Sequence, residues 1–369
     1  MGIGLVQVYS SSYIFATESF GDGLYFFKRQ LIFSLLAFLT LIATIHLPID
    51  KIKKFSWLVW FIAAALVVAT FIPGLGVRVG GALRWLQLPF GVRFEPSELL
   101  KISFSLWFAS LLTRKENMLG RFKWPLLLAA STLPVLLLLK QPDFGSFTII
   151  TIVAVALLFV FGLSWKYIIG SLALILPAFY FLVMTVPYRR ARVMAFLDPW
   201  SDPAQKGFQV IQSMLSFHSG GFFGAGLGQG QGKLFFLPEA HTDFTLAVWG
   251  EEMGFIGFVG LLLLYGFVVF KGIQIANRSQ SLFRKTMTLG LTITFALSVF
   301  INAGVVMGLL PTKGLTLPFL SYGGSSLVVL CFTFGLILNV EKNMDVEDSV
   351  ASSDTGSKMR TKFGHRRWN

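Results

Sequence analysis

Phe255-Ile-Gly-Phe-Val-Gly-Leu-Leu-Leu-Leu-Tyr-Gly-Phe-Val-Val-Phe270 decides the fold, because these sixteen residues hold neither a charge nor a proline. Such a run, as a helix rising ~1.5 Å per residue, nearly crosses a hydrocarbon core of ~30 Å. Leu31–Leu47, Phe55–Ile72 and Thr148–Leu163 repeat the pattern. The apolar residues are continuous, whereas strands of a membrane β-barrel alternate. The chain is 54% hydrophobic and 13% charged, with a mean hydropathy of +0.71. A soluble chain carries about 25% charged residues. The sequence therefore predicts an all-α polytopic membrane protein.

Working outward, ten hydrophobic segments are read: 1–15, 31–47, 55–72, 96–113, 125–140, 145–163, 167–186, 244–270, 285–309 and 318–340. Each is an expected transmembrane helix. The connections Asp50–Lys54, Arg114–Lys123 and Lys271–Lys285 are basic, and the positive-inside rule places them, with both termini, in the cytoplasm. Residues 1–340 then form one transmembrane domain. Its large extracytoplasmic loop, 187–243, joins helices 7 and 8, and 341–369 is expected to be a disordered cytoplasmic tail. The loop carries Ile211, Met214, Leu215 and Phe217 at helical spacing, then Phe222, Phe223, Phe235 and Phe236. It is too apolar for a free linker and is expected to fold back on the membrane surface, partly as an interfacial helix.

Single Cys331 allows no internal disulfide, and the four histidines, at 46, 218, 241 and 365, show no metal-ligand spacing. The net charge of +13 fits positive-inside loops and anionic lipid better than nucleic acid, which is not expected as a partner.

Immediately before the opening run stands Leu237-Pro-Glu-Ala-His-Thr-Asp-Phe244, followed by Glu251 and Glu252. Carboxylates at a bilayer are costly and mark function by default. On a helix, residues 243, 247 and 251 share a face, with Asp243 at the outer end and Glu251 roughly 12 Å deeper. Asp243 reads either as a general base at the water boundary or, with Thr242, as an N-cap. No cap explains Glu251 and Glu252.

Three further features bear on chemistry. Gly220–Gly232, ending at Lys233, fails the Walker pattern: Leu227 and Leu234 stand where Gly and Ser/Thr are required, so a turn-rich loop is the better reading. The outward side holds Arg78, Arg84, Arg93, Lys101, Lys140, Arg189, Arg190, Arg192 and Lys313. That excess breaks the positive-inside pattern and suits a pyrophosphorylated lipid head group; local pairing with Glu95, Glu98, Asp143 and Asp198 is the alternative. Pro311–Ser326 has two prolines and three glycines at a helix entrance. Irregular backbone there must face protein or a watery cavity, and close packing through its small residues is equally physical.

These motifs together resemble the SEDS family of bacterial cell-wall polymerases, the FtsW/RodA group. The matching residues are Tyr9–Ser12, Gly81–Trp85, Glu95–Lys101, Gln141–Gly145, Asp198-Pro199, Gly207–Gln209, Gln212-Ser213, Gly220-Gly221, Gly224–Gly230, Leu237–Phe244, Gly250–Gly254 and Pro311–Ser326. Pro238–Asp243 and Pro311–Pro318 look more like the division branch than the elongation branch. The resemblance implies a peptidoglycan glycosyltransferase acting on lipid II in the inner membrane, at the division septum, with a class B penicillin-binding protein and other division proteins as partners. The family's essential aspartate matches Asp243, its cation before the last helix matches Lys313 and its Arg-Trp pair matches Arg84-Trp85; Asp243 is therefore expected to be catalytic, and Arg84, Lys101, Lys313, Glu251, His241 and Ser321 are expected to bind substrate. A divalent cation, magnesium or manganese, could assist at the pyrophosphate, although no metal motif is present. Two departures stand out: the first helix is short, placing the start of this chain inside it, and Leu83 and Phe90 replace more polar residues. A lipid II flippase is the rival reading, since intramembrane charges also suit a polar pathway. A scaffold recruiting division proteins explains the tail but not the acids.

Overall fold

The computed structural model describes residues 1–79, 82–113, 134–162, 207–232, 237–312 and 314–364, with scattered positions between 164 and 203. The fold is helical: α1 Gly2–Phe20, α2 Tyr25–Ile45, α3 Ile49–Ala69, α4 Pro96–Leu112, α5 Phe144–Val160, α6 Phe208–Gly220, α7 Thr245–Arg278, α8 Leu282–Val306 and α9 Gly324–Gly364. Among the described residues, five helices are long and apolar enough to cross a membrane: α2, α3, α7, α8 and the Gly324–Met344 part of α9. Most of the expected segment 125–140, apart from a helical stretch over 134–140, and most of 167–186 lie outside the described residues. The chain is an all-α integral membrane protein.

Helix α4 is the hub. Pro96 opens it, where a missing N–H costs nothing. Leu100, Phe104, Phe108 and Leu111 are buried, in a core shared with Val67 of α3, Ile149 and Val153 of α5, and Phe295 and Val299 of α8. Small hydroxyl residues let α4 pack closely, as where Ser105 Oγ meets Thr294 Oγ1 at 3.4 Å. The outer helices instead expose Leu35 and Leu39 on α2 and Phe61 on α3, as lipid-facing positions should.

Three differences from the sequence reading have physical causes. Residues 76–94, read as part of a plain connection, form a three-stranded antiparallel sheet: β1 Gly76–Val79, β2 Ala82–Gln87 and β3 Arg93–Phe94. Alanine and leucine flank Arg84 on one face of β2, where Ala82 and Leu86 are buried, so the arginine is turned inward. The expected interfacial helix exists as α6, but it packs into the bundle. Val210, Ile211 and Ser213 are buried, and Ser213 Oγ donates to the Val306 carbonyl at 2.6 Å. Leu215, Phe222 and Phe223 stay exposed on the other side. Helix α7 is not one rod: Gly254 breaks it with φ 66°. The last helix runs on past its apolar part, Gly324–Met344, into the polar tail.

Candidate active site

Asp243 does not lie on α7. The N-cap of that helix is Phe244, and no side chain caps it, so the capping role considered for Thr242 and Asp243 is not the one they fill. Thr242 instead donates to the Glu239 carboxylate at 2.7 Å. The main chain around Asp243 is held from three directions. Phe244 N–H donates to the Glu239 carbonyl at 3.2 Å and Tyr322 N–H to the His241 carbonyl at 2.9 Å. Asn302 Nδ2 donates to the Asp243 carbonyl at 3.0 Å. Asp243 itself is half-buried and reachable.

Arg84 approaches from the sheet. Its Nη2 donates to the Pro142 carbonyl. Its Nη1 and Asp243 Oδ2 converge on Gly314, 3.1 and 3.2 Å from where a β-carbon on that glycine would stand. A carboxylate and a guanidinium from distant parts of the chain thus approach the same point of the strap 311–323. Lys313 lies outside the described residues, so its part in this group is a matter for proposal.

An acid-rich group flanks Arg84. Asp143 is buried and caps α5, accepting from Ser146 N–H at 3.2 Å. Glu95 is buried and accepts from Ser97 Oγ at 3.2 Å. Burial, reinforced by the Glu98 and Asp143 carboxylates and opposed by Lys101 and Arg84, pushes the Glu95 carboxyl up to about 8. Lys101 is engaged by Glu98 at 2.8 Å. The pair lines a small cavity with Thr294, Ser298, Ser326 and Thr333, so the local-pairing alternative holds for Lys101.

Glu251 sits elsewhere. Its carboxylate accepts from Gln231 N–H at 2.7 Å, Gly232 N–H at 3.0 Å and Ser219 Oγ at 3.2 Å. The glycine-rich run resembling a phosphate loop is an anion cradle whose anion is the protein's own glutamate. The run also clasps the α7 break: Ala225 and Gly226 donate to the Glu251 and Glu252 carbonyls at 2.9 and 3.0 Å, and Phe255 donates to Gly221 at 2.9 Å. Side chains have no room here, since a β-carbon on Gly254 would meet Gly224 N at 2.3 Å. Glu252 accepts from Ser10 Oγ of α1 at 2.6 Å.

His241 stacks on Phe15 and Phe26 at 5.4 and 4.6 Å, and burial in that box holds its imidazole below the usual range, against the pull of Glu239. Ser321 is buried and accepts from Leu317 N–H at 2.9 Å, closing the strap. Of the expected residues, then, Asp243 and Arg84 converge, Lys101 borders the same strap, His241 and Ser321 hold backbone or packing around it, and Glu251 instead anchors the 219–232 segment. Among the described residues no three His, Cys, Asp or Glu side chains are grouped to hold a metal. Asn302 was missed, although a lone amide inside an apolar span is a signal the sequence displays.

Residues 1–345 match the FtsW/RodA/SpoVE family, described as cell cycle proteins. A relative from Geobacter metallireducens, named "Probable peptidoglycan glycosyltransferase FtsW", is 43% identical over 343 residues, covering 92% of this chain and 91% of its own length. One of the same name from Thioalkalivibrio sulfidiphilus is 40% identical over 353 residues, covering 93% and 86%. A solved structure described as showing the coordination of polymerization and crosslinking by a peptidoglycan synthase complex is 31% identical with a TM-score of 0.74, covering 92% of this chain and 96% of that one. The rod shape determining protein RodA of Thermus thermophilus is 27% identical with a TM-score of 0.67, each chain covered to 93%.

Proposed function

This chain belongs to the FtsW/RodA/SpoVE family of cell cycle proteins, and we infer that it is a peptidoglycan glycosyltransferase polymerising lipid II at the outer face of the cytoplasmic membrane. The names of its relatives support the reaction class. One lipid II supplies a sugar 4-hydroxyl. That oxygen bonds to the anomeric carbon of the growing chain as the bond from that carbon to undecaprenyl pyrophosphate breaks. The hydroxyl is a poor nucleophile at neutral pH, so its proton passes to a carboxylate, Asp243. Negative charge grows on the leaving pyrophosphate, where Arg84 stabilises it, joined by Lys313; Lys101, paired with Glu98, borders the site instead. A single displacement inverts the anomeric centre.

The observation that carries this reading is the convergence of Asp243 Oδ2 and Arg84 Nη1 on Gly314, one group to take a proton and one to hold an anion. Its setting fits an acceptor beside a donor phosphate better than charges spread along a flipping path. The partner is a class B penicillin-binding protein, supported by the likeness to a synthase complex that couples polymerization with crosslinking, and the place is the division septum, supported by the FtsW names. The test is chain growth by the purified full chain from lipid II. Asp243→Asn keeps size but accepts no proton, and should cut polymerisation by about 10²–10⁴-fold. A folded Asp243→Asn protein that polymerises at the normal rate refutes the assignment.

A further inference from the structure

Asn302 is a single amide in the apolar stretch Phe300-Ile-Asn-Ala-Gly-Val-Val306 of α8, and it is 2% exposed. A buried amide persists only when hydrogen-bonded. Here Nδ2 donates twice, to the Asp243 carbonyl at 3.0 Å and the Leu315 carbonyl at 2.6 Å. Two carbonyl acceptors fix the amide's orientation, because the flipped form would turn Oδ1 against both. The two acceptors are not arbitrary. One belongs to the residue assigned as base. The other follows Gly314, where a β-carbon would lie 3.2 Å from Asp243 Oδ2 and 3.1 Å from Arg84 Nη1. A regular helix thus reaches, through one rigid two-donor group, to the main chain of Asp243 and to the strap residue after Gly314.

We propose that Asn302 is a positioning residue for glycosyl transfer: it joins the main chain of Asp243 to that of the 311–323 strap and so fixes the Asp243 carboxylate against the strap that Arg84 also approaches. The proposal rests on Asp243 being the base. Removing the donors leaves two carbonyls facing one another without a partner, and they move apart. The carboxylate moves with its backbone. Head-group binding, which depends on outward cations, is spared, whereas the rate of the bond-making step is not. A displacement near 1 Å at a catalytic group costs about 10²-fold.

The experiment uses the full chain in lipid nanodiscs with fluorescent lipid II. Asn302→Leu keeps the volume and removes both donors; Asn302→Ser keeps one donor in a smaller side chain. Each should lower kcat per folded molecule by about 10–100-fold and leave the KM for lipid II within twofold. Thr292→Val, another buried polar group of α8, should change neither. Normal kcat in either folded Asn302 variant overturns the proposal, as does a loss carried by KM or an equal loss in Thr292→Val. If neither Asn302 variant can be obtained folded, the residue holds the fold rather than the site, and the proposal is also overturned. An active Asp243→Asn removes the base assignment itself; an inactive Asp243→Asn beside a normal Asn302→Leu removes only the clamp.

Discussion

Arg84 and Asp243 face each other across a glycine: a β-carbon on Gly314 would stand 3.1 Å from Arg84 Nη1 and 3.2 Å from Asp243 Oδ2. Those distances are tighter than ordinary packing, and the atoms in the way are the two to which the proposed reaction assigns roles. Gly314→Ala should therefore lower polymerisation about tenfold or more by pushing base and cation apart, with little change in melting temperature. Gly260→Ala, where nothing lies within 4 Å of the new carbon, is the matched control and should leave the rate unchanged. Equal rates for both variants would show that the Gly314 space is not used.

Arg84 does two jobs that a lysine cannot share. One nitrogen holds the Pro142 carbonyl while another faces Asp243, which requires a planar fork. Arg84→Lys should thus lose most of the activity lost in Arg84→Ala. Replacing Lys271, on an exposed position of the basic connection after the opening run, should have little effect. A similar loss from Lys271→Ala would indicate a general effect of charge or insertion.

Glu251 is a latch. Three donors from the 219–232 segment point at its carboxylate, and it is 3% exposed. Charge-assisted hydrogen bonds of this kind contribute about 1.5–3 kcal/mol. Glu251→Ala should therefore destabilise by on the order of 3 kcal/mol and deprotect the Gln231 and Gly232 amides in hydrogen exchange. Unchanged protection of those two amides would mean that the clasp on the Gly254 break suffices alone.

How much of this was written in the sequence depends on the range of each interaction. The apolar run 255–270 was legible because lipid leaves one solution for a long uncharged segment. The importance of Asp243 was legible from the cost of a carboxylate at a membrane boundary. Its nearness to Arg84 was not, since no spacing rule joins a strand of the second outward connection to a turn before α7. The sheet hid because Ala82-Leu-Arg-Trp-Leu-Gln87 has apolar residues on both faces and so no period of two. The glycine-rich run was read as a turn-rich loop; that it cradles an anion was not legible, because that anion, Glu251, lies on a helix that the chain reaches only after reversing. Ser321 and His241 were recognised as special residues; their contacts show that they shape the strap and the aromatic box beside the site.

Glu95 gives the fold a pH signature. Its carboxyl is pushed up to about 8 from an ordinary value of 4.5, first by burial and then by Glu98 and Asp143. In the unfolded chain it ionises near its ordinary value. Between those two pH values the unfolded state has released the proton and the folded state still holds it. Stability present below pH 4.5 is therefore lost progressively as pH rises to about 8, and is level above that. Glu95→Gln imitates the protonated form at every pH. Its melting temperature should match that of the parent chain near pH 4 and exceed it near pH 9, with the gap opening through the window between. Parallel melting curves for the two proteins across that range would mean that Glu95 ionises in the fold at its ordinary value, and that Arg84 and Lys101 outweigh the burial and the two neighbouring carboxylates.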